Sequence, residues 1–126
     1  MENKTATYKF TIVVPVFNEE GNMSRLETVL KEFKEQSQVK TCVLFVNDGS
    51  TDASGNMMKE ICSRQSDFFF IECVQNGGLS AAMKAGIDYC YSDLVGYIDA
   101  DLQTTPEDFN LLLQHTDDYA LVMGIR

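Results

Sequence analysis

Short apolar stretches rich in β-branched and aromatic residues alternate along this chain with amphipathic stretches, and that alternation constrains the fold more than any other feature. The apolar stretches predict five buried strands, at Tyr8–Val14, Cys42–Val46, Phe68–Val74, Leu94–Ile98 and Tyr119–Met123. Strands that alternate with helices favour an α/β fold with a mostly parallel sheet and helices on both faces.

Two helices are predicted between the first three strands. Ser24 and Glu27 have the spacing of a capping box, which predicts a first helix running to about Gln36. Ser50 or Thr51 is predicted to cap the second helix.

Two further helices follow the third and fourth strands. Residues 76–78 form a predicted turn, and apolar residues from Leu79 to Cys90 lie at helical spacing after it. Thr105 before Pro106 predicts the start of a fourth helix.

Composition limits the partners that such a chain can bind. Its 126 residues suit one compact domain, and 19 acidic against 10 basic residues give a formal net charge of -9. Nucleic acid is therefore not an expected partner, because phosphate backbones are bound by clustered Lys and Arg. A protein this acidic is expected to need a divalent cation to bind a phosphate ligand.

The expected location is the cytoplasm. The four cysteines lie far apart without a CxxC pair, which is typical of reduced thiols. No stretch approaches the roughly 20 apolar residues of a membrane span, and the polar start is unlike a signal peptide.

Polar residues follow the ends of the predicted strands. They are Asn18-Glu19 after the first strand, Asn47-Asp48 after the second, Asn76 after the third, and Asp99 and Asp101 after the fourth. Ligands of α/β proteins bind beyond the carboxyl ends of the strands, so this coincidence predicts a binding site.

Asp99 and Asp101 are candidate metal ligands. They stand two residues apart at a strand end, where both carboxylates could face one cation, and Gln103 continues the spacing. Carboxylate oxygens suit Mg²⁺ or Mn²⁺. The competing interpretation is a chance Asp-x-Asp in an acidic chain, but two like charges after an apolar strand repel each other unless a cation joins them.

Asp48 is a candidate acceptor for an N–H group of a nucleotide base, with Gly49 allowing close approach of the backbone. Turn formation explains the neighbouring Ser50 and Asp52, but a turn does not need a carboxylate at Asp48.

The glycine pair Gly77-Gly78 matches neither of the common phosphate-loop patterns. Lys84, on the following helix, could reach a phosphate, although a helical Lys more often faces solvent. His115 is the only histidine and belongs to no catalytic motif, which argues against Ser-His-Asp or Cys-His nucleophile chemistry.

Four motifs in register resemble those of inverting family 2 glycosyltransferases of the Rossmann-like GT-A fold. They are VVPVFNEEGN at 13–22, VNDGSTD at 46–52, NGGLSAAMKAG at 76–86 and YIDADLQTTPEDF at 97–109. The DADLQ run followed by Pro-Glu is most similar to the branch of dolichol-phosphate mannose synthase and undecaprenyl-phosphate sugar transferases.

The resemblance implies roles for individual residues. It assigns nucleotide binding to Pro15, Phe17, Glu19, Asp48, Gly78, Lys84 and Asp99. It assigns the catalytic metal, Mg²⁺ or Mn²⁺, to Asp99, Asp101 and Gln103. Phe17 replaces a common Tyr, and Met83 stands where many relatives carry Arg.

The resemblance also implies a reaction. The donor would be a UDP- or GDP-sugar, and the acceptor a lipid phosphate, such as a polyprenyl phosphate, or a saccharide. Residues 1–126 would be a single nucleotide-sugar-binding domain. The acceptor-binding half, with any contact to a membrane surface, would lie beyond Arg126.

Two alternatives remain at this point. One is a non-catalytic domain that binds nucleotide sugars without transferring them. The other is a phospho-accepting receiver domain, which has a similar length and pattern. Glu19-Glu20 imitates the acidic pair of a receiver, but the third and fifth strands do not end in the required Asp and Lys.

Overall fold

The computed structural model describes residues 4–73 and 77–98, which form four parallel strands and three α-helices. After a 3₁₀ turn at Lys4–Thr7, the elements are β1 (Phe10–Val16), α1 (Met23–Gln36), β2 (Thr41–Asn47), α2 (Ser54–Arg64), β3 (Phe68–Glu72), α3 (Leu79–Tyr89) and β4 (Leu94–Tyr97). The predicted α/β class is confirmed. The predicted helix at Thr105 and the strand at 119–123 lie outside the described residues.

The strands are ordered β3-β2-β1-β4. The chain therefore steps outward from β1 to β2 and β3, then crosses back over the sheet to place β4 on the other side of β1. Because crossovers of this kind are right-handed, reversing the direction moves the connecting helix to the opposite face. Helices α1 and α2 accordingly cover one face, and α3 covers the other.

Each face of the sheet has its own core. Alternate residues of β1 point to opposite sides, so Ile12 and Val14 pack with α1 and α2, whereas Val13 packs with α3. Gly86 allows α3 to lie close to the sheet, since a Cβ there would be 2.6 Å from Val13 Cγ1 and 3.0 Å from Val46 Cγ2.

The strand order argues against a receiver domain. In the receiver order, 2-1-3-4-5, the first strand lies between the second and third. Here β1 lies between β2 and β4, as in the Rossmann order. The direction of winding reverses between β1 and β4, and such switch points are where α/β sheets bind ligands.

The first strand extends further than predicted. It was predicted to end before Pro15, but Pro15 pairs with Val46 within β1. The backbone of Val13 bonds to Ile98 on the β4 side, and that of Val16 to Asp48 on the β2 side. By alternation the nitrogen of Pro15 faces the β4 side, so the missing N–H removes no bond to β2.

The predicted capping box of the first helix is wrong. Helix α1 starts at Met23, after Asn22, and no side chain caps it, so Ser24 lies inside the helix. Glu27 instead accepts hydrogen bonds from Arg64 and Gln65 at the end of α2. The helix–helix contact therefore uses the residue that the local pattern assigned to a cap.

The start of α2 and one face of α3 also differ from the predictions. Helix α2 begins at Ser54, so neither Ser50 nor Thr51 caps it. Leu79 was predicted on the buried face of α3 but is 56% exposed, because it is the first residue of the helix. Ala82 and Gly86 of the same predicted face are buried.

All four cysteines lie within the described ranges and are free thiols. Cys42 is buried, and burial raises its pKa to about 12. The prediction of reduced thiols without a disulfide framework is consistent with this. Over residues 4–73 and 77–98, no helix combines the length and apolarity that crossing a bilayer needs.

Candidate functional site

The candidate site lies at the carboxyl edge of the sheet, where β1 and β2 end side by side. Val16 is in register with Asn47, and the backbone N–H of Asp48 donates to the carbonyl of Val16 over 2.8 Å. This bond continues the ladder by one residue past the end of β2. Phe17 and Asp48 therefore leave the sheet from neighbouring strands.

Asn18 joins the loop after β1 to the loop after β2. Its backbone has a positive φ of 53°, and its side-chain oxygen accepts hydrogen bonds from the backbone N–H groups of Thr51 at 2.8 Å and Asp52 at 3.3 Å. Asparagine tolerates this left-handed conformation better than most residues.

The same two loops are bonded in the reverse direction by three successive backbone N–H groups. The donor–acceptor pairs are Asn18 with Ser50 Oγ (3.0 Å), Glu19 with Ser54 Oγ (2.7 Å) and Glu20 with Asp52 Oδ2 (3.2 Å). The position of the first loop is thus set by side chains of the second.

Asp48 is a buried carboxylate at the centre of this edge. Its side chain is 3% exposed, and its two oxygens accept the backbone N–H groups of Gly77 at 2.9 Å and Gly78 at 3.0 Å. Gly78 is the residue at the amino end of α3 and has a φ of 91°. Asp48 therefore connects the end of β2 to the start of α3.

The Asp48 charge also acts on the neighbouring thiol. Cys73 follows β3, and its backbone N–H donates to the carbonyl of Asn47 over 2.9 Å. Burial, and to a smaller extent the Asp48 carboxylate, raises the pKa of Cys73 above the ordinary value of a thiol. Cys73 is therefore neutral at pH 7 and a poor nucleophile.

The other predicted nucleotide-binding residues of the first loop differ in exposure. Pro15 is buried within β1, whereas the Phe17 ring is 43% exposed at the edge. Glu19 is partly buried and accepts a hydrogen bond from Asn22 Nδ2 at 2.9 Å. Phe17 therefore presents an exposed aromatic ring at the edge where Asp48 leaves β2.

Lys84 lies on the exposed surface of α3. Its ammonium forms an ion pair with Asp88 one helical turn later, at 2.6 Å. The hydrogen bond and charge of Asp88 raise the pKa of Lys84. This pairing is the ordinary arrangement of a helical Lys on a solvated face.

The predicted metal ligands Asp99, Asp101 and Gln103 lie outside the described residues. Ile98, which precedes them, donates its backbone N–H to the carbonyl of Val13 over 3.2 Å. Across residues 4–73 and 77–98 no group of three His, Cys, Asp or Glu side chains could hold a metal ion.

Sequence reasoning identified the polar clusters but not the contacts among them. Asn18 stood in a predicted cluster, yet its partners Thr51 and Asp52 lie 33 and 34 residues away. Gly77 and Gly78 likewise lie 29 and 30 residues from Asp48. Parallel strands bring such distant loops to one edge, which only the strand order reveals.

Solved structures with a similar fold are GT-A glycosyltransferases, which places this chain in the GT-A class of α/β folds. The mannosyltransferase PcManGT of Pyrobaculum calidifontis, solved with GDP-Man and Mn²⁺, has a TM-score of 0.65 at 20% identity, over 75% of this chain and 28% of that one. TarS of S. aureus, solved with UDP-GlcNAc, has a TM-score of 0.66 at 20% identity, over 87% and 31% of the two chains.

The chain belongs to glycosyl transferase family 2, whose profile matches residues 11–126. It is 34% identical to the uncharacterized glycosyltransferase YkcC of Bacillus subtilis, over 94% of this chain and 37% of that protein. It is 34% identical to the undecaprenyl-phosphate 4-deoxy-4-formamido-L-arabinose transferase of Pseudomonas fluorescens, over 90% and 34%.

A eukaryotic relative has a similar name. The dolichyl-phosphate beta-glucosyltransferase of Trichomonas vaginalis is 32% identical, over 92% of this chain and 39% of that protein. The chain therefore spans about a third of the length of these relatives. The resemblance to the polyprenyl-phosphate branch of the family is confirmed.

Proposed function

We propose that residues 1–126 form a nucleotide-sugar-binding domain that binds the nucleoside diphosphate of a UDP- or GDP-sugar. The observation that carries the proposal is the position of Phe17 and Asp48. They leave neighbouring strands at the edge where β1 and β4 reverse the winding of the sheet. The predicted ligands Asp99 and Asp101 follow β4 in the sequence.

The base is bound between the loops after β1 and β2. The exposed ring of Phe17 supplies a stacking surface. Glu19 follows it in the same loop, and Pro15, buried in β1, would contribute by holding the start of that loop. Two of the carboxylate lone pairs of Asp48 are used by Gly77 and Gly78, and a carboxylate has about four, so Asp48 can also accept a base N–H. Uracil and guanine both present such a group.

The diphosphate is bound with a divalent cation held by Asp99, Asp101 and Gln103. This donor set is chemically suited to Mg²⁺ or Mn²⁺, since all three side chains offer hard oxygen ligands. A bound cation would offset the charge that develops on the leaving diphosphate, an effect worth several kcal/mol of barrier. Gly78, at the amino end of α3, is proposed to lie beside the nucleotide. Lys84 is exposed and paired with Asp88, so it would have to leave that ion pair to reach a phosphate.

The proposed reaction transfers the sugar with inversion to an acceptor, and the favoured acceptor is a polyprenyl phosphate. Two named relatives act on undecaprenyl and dolichyl phosphates, which supports this choice over a saccharide. A phosphate acceptor is already an anion at neutral pH, so it attacks without a strong general base. Such an acceptor would bring the protein to the cytoplasmic face of a membrane.

Isothermal titration calorimetry tests the donor site. UDP and GDP are each titrated into the protein with and without Mn²⁺, and into the Asp101→Ala variant. We expect one of the two nucleotides to bind only when Mn²⁺ is present, and Asp101→Ala to abolish that binding. Equal binding without the metal, or no binding of either nucleotide, contradicts the proposal.

The second candidate is a domain that binds nucleotide sugars without transferring them. Incubation with UDP- and GDP-sugars and undecaprenyl phosphate distinguishes the two. A glycosylated lipid supports the transferase, whereas metal-dependent binding without product supports the binding domain.

A further inference from the structure

We infer that Asp48 is a positioning residue for the amino end of α3, so that it acts on the nucleotide through Gly77 and Gly78 as well as through the base. This inference deepens the proposed function and rests on it. Asp48 would thus connect the loop after β2, in the motif at 46–52, to the start of α3, in the motif at 76–86.

The geometry of the carboxylate carries this inference. Each oxygen of Asp48 accepts one backbone N–H, from Gly77 at 2.9 Å and from Gly78 at 3.0 Å, and the side chain is buried. Two parallel bonds to successive amides fix both the distance and the orientation of the segment. The carboxylate is itself held, because the Asp48 backbone bonds to Val16 of the central strand.

The two glycines are shaped for this contact. Gly78 has a φ of 91°, a conformation that residues with a side chain rarely adopt. A Cβ on Gly77 would lie 2.9 Å from Ala81 Cβ in the first turn of α3. The two glycines therefore let the chain enter α3 with both amides directed at Asp48.

The consequence is that changes at Asp48 and at Gly77 are coupled. Without the carboxylate, the segment that leads into α3 loses both bonds, and the amino end of α3 is no longer held beside the phosphates. Displacing the same segment by a change at Gly77 should then add little to the loss of affinity. If Asp48 only contacted the base, the two changes would act independently.

A double-mutant cycle tests this inference by calorimetry with UDP, GDP and Mn²⁺. The variants are Asp48→Asn, which cannot accept both amides, Gly77→Ala, which displaces the segment but keeps Asp48, and the double variant. Each single change is expected to weaken binding about tenfold, the effect of losing a charge-assisted hydrogen bond. The double variant is expected to lose clearly less affinity than the product of the two single losses.

An additive loss of about a hundredfold in the double variant overturns the inference. Asp67→Asn is the matched control, because Asp67 is a partly buried carboxylate at the opposite edge of the sheet. It should leave nucleotide affinity unchanged.

Amide hydrogen exchange tests the inference without a ligand. The N–H groups of Gly77 and Gly78 should exchange slowly in the wild type and at least about tenfold faster in Asp48→Asn. Equal exchange in both proteins overturns the inference. If the wild type binds neither nucleotide, the proposed function is wrong, but the exchange rates of Gly77 and Gly78 still test whether Asp48 holds this segment. If Asp48→Asn does not fold, full affinity in Gly77→Ala overturns the inference, and a tenfold loss supports it.

Discussion

Asn18 shows how one residue can determine the shape of a site without contacting a ligand. Its left-handed backbone would be strained in most residues, but here the side chain accepts two amides from the neighbouring loop. The local conformational cost is offset by bonds to residues more than 30 positions away. The loop that carries Phe17 is fixed in this way.

Two substitutions of Asn18 separate the cost of its left-handed backbone from the stabilisation by its side-chain hydrogen bonds. Asn18→Ala removes the acceptor and leaves a strained backbone, so it should lower the free energy of unfolding by about 2 kcal/mol. Asn18→Asp keeps an acceptor and tolerates the positive φ, so it should lose about half as much or less. Urea denaturation measures both, with Asn56→Ala on the exposed face of α2 as the control. Equal losses in Asn18→Ala and Asn18→Asp would contradict this account.

Gly86 is a second residue whose importance comes from close packing. Gly86→Ala would place a methyl group 2.6 Å from Val13 and 3.0 Å from Val46, which forces α3 away from the sheet. The higher helix propensity of Ala stabilises α3 by about 1 kcal/mol and offsets part of the cost of the clash. The net decrease in the free energy of unfolding should therefore be about 1–2 kcal/mol.

The expected cause can be tested with a compensating change. Val13→Ala makes room for the new methyl group, so the double variant should be more stable than the sum of the two single losses predicts. Gly21→Ala is the control, because a Cβ at Gly21 meets nothing within 4 Å. If Gly86→Ala and Val13→Ala were additive, the clash would not be the cause.

At the scale of elements, three segments are joined at the amino edge of the sheet by one carboxylate. Asp67, just before β3, accepts hydrogen bonds from Tyr8, just before β1, and from Lys34 near the end of α1. Lys40 lies 4.9 Å from the centre of the Tyr8 ring. This cluster is at the opposite edge of the sheet from the candidate site.

This cluster makes the stability of the protein depend on pH. Burial opposes ionisation of Asp67, but the hydrogen bonds from Lys34 and Tyr8 outweigh it and lower the pKa of Asp67. A lowered carboxyl pKa contributes stability above the unfolded-state value, near 4, and that contribution is lost as the pH falls through the folded-state value.

Asp67→Asn should therefore be less stable than the wild type by about 1–2 kcal/mol at pH 7, and the difference should shrink below about pH 4. Denaturation at a series of pH values measures it. Asp93→Asn is the control, since its ion pair with Lys9 is exposed and should contribute little at any pH. A difference that stays constant down to pH 3 would contradict the assignment of the lowered pKa to Asp67.

The sequence could predict the existence of the helices and strands better than the residues at which they begin and end. The strands and helices within the described residues follow from hydrophobic periodicity, which depends on nearby residues. The boundaries of these elements do not follow from periodicity. Glu27 accepts a hydrogen bond from Arg64 of α2 instead of capping its own helix, and Pro15 pairs with Val46 within β1 instead of ending the strand. Tertiary contacts determine these boundaries, and such contacts cannot be recognised from the residues that are adjacent in the sequence.

At the scale of the whole molecule, the strand order determines which polar clusters meet. The sequence predicted polar residues after each strand, but only the order β3-β2-β1-β4 places the ends of β1, β2 and β4 together. The order also distinguishes this protein from a receiver domain of similar length. Asp99, Asp101 and Gln103 remain predictions from the motif, since they lie outside the described residues.

The net charge of -9 makes a final prediction about metal removal. An acidic protein repels a nucleoside diphosphate, so the nucleotide should stabilise the fold only when Mn²⁺ is present. At a ligand concentration a hundred times Kd the expected gain is about 2.7 kcal/mol, which raises Tm by about 10 °C. Thermal denaturation followed by circular dichroism measures it, and EDTA should return Tm to its value without ligand.

Two variants decide whether the predicted residues are responsible for this stabilisation. Asp99→Ala should lose the Tm shift with nucleotide and Mn²⁺, because it removes a predicted metal ligand. Asp93→Ala, which removes an exposed carboxylate of the same charge, should keep the full shift. A full shift in Asp99→Ala would mean that the cation is held elsewhere, whereas a loss in both variants would mean that the net charge, rather than a specific site, attracts the metal.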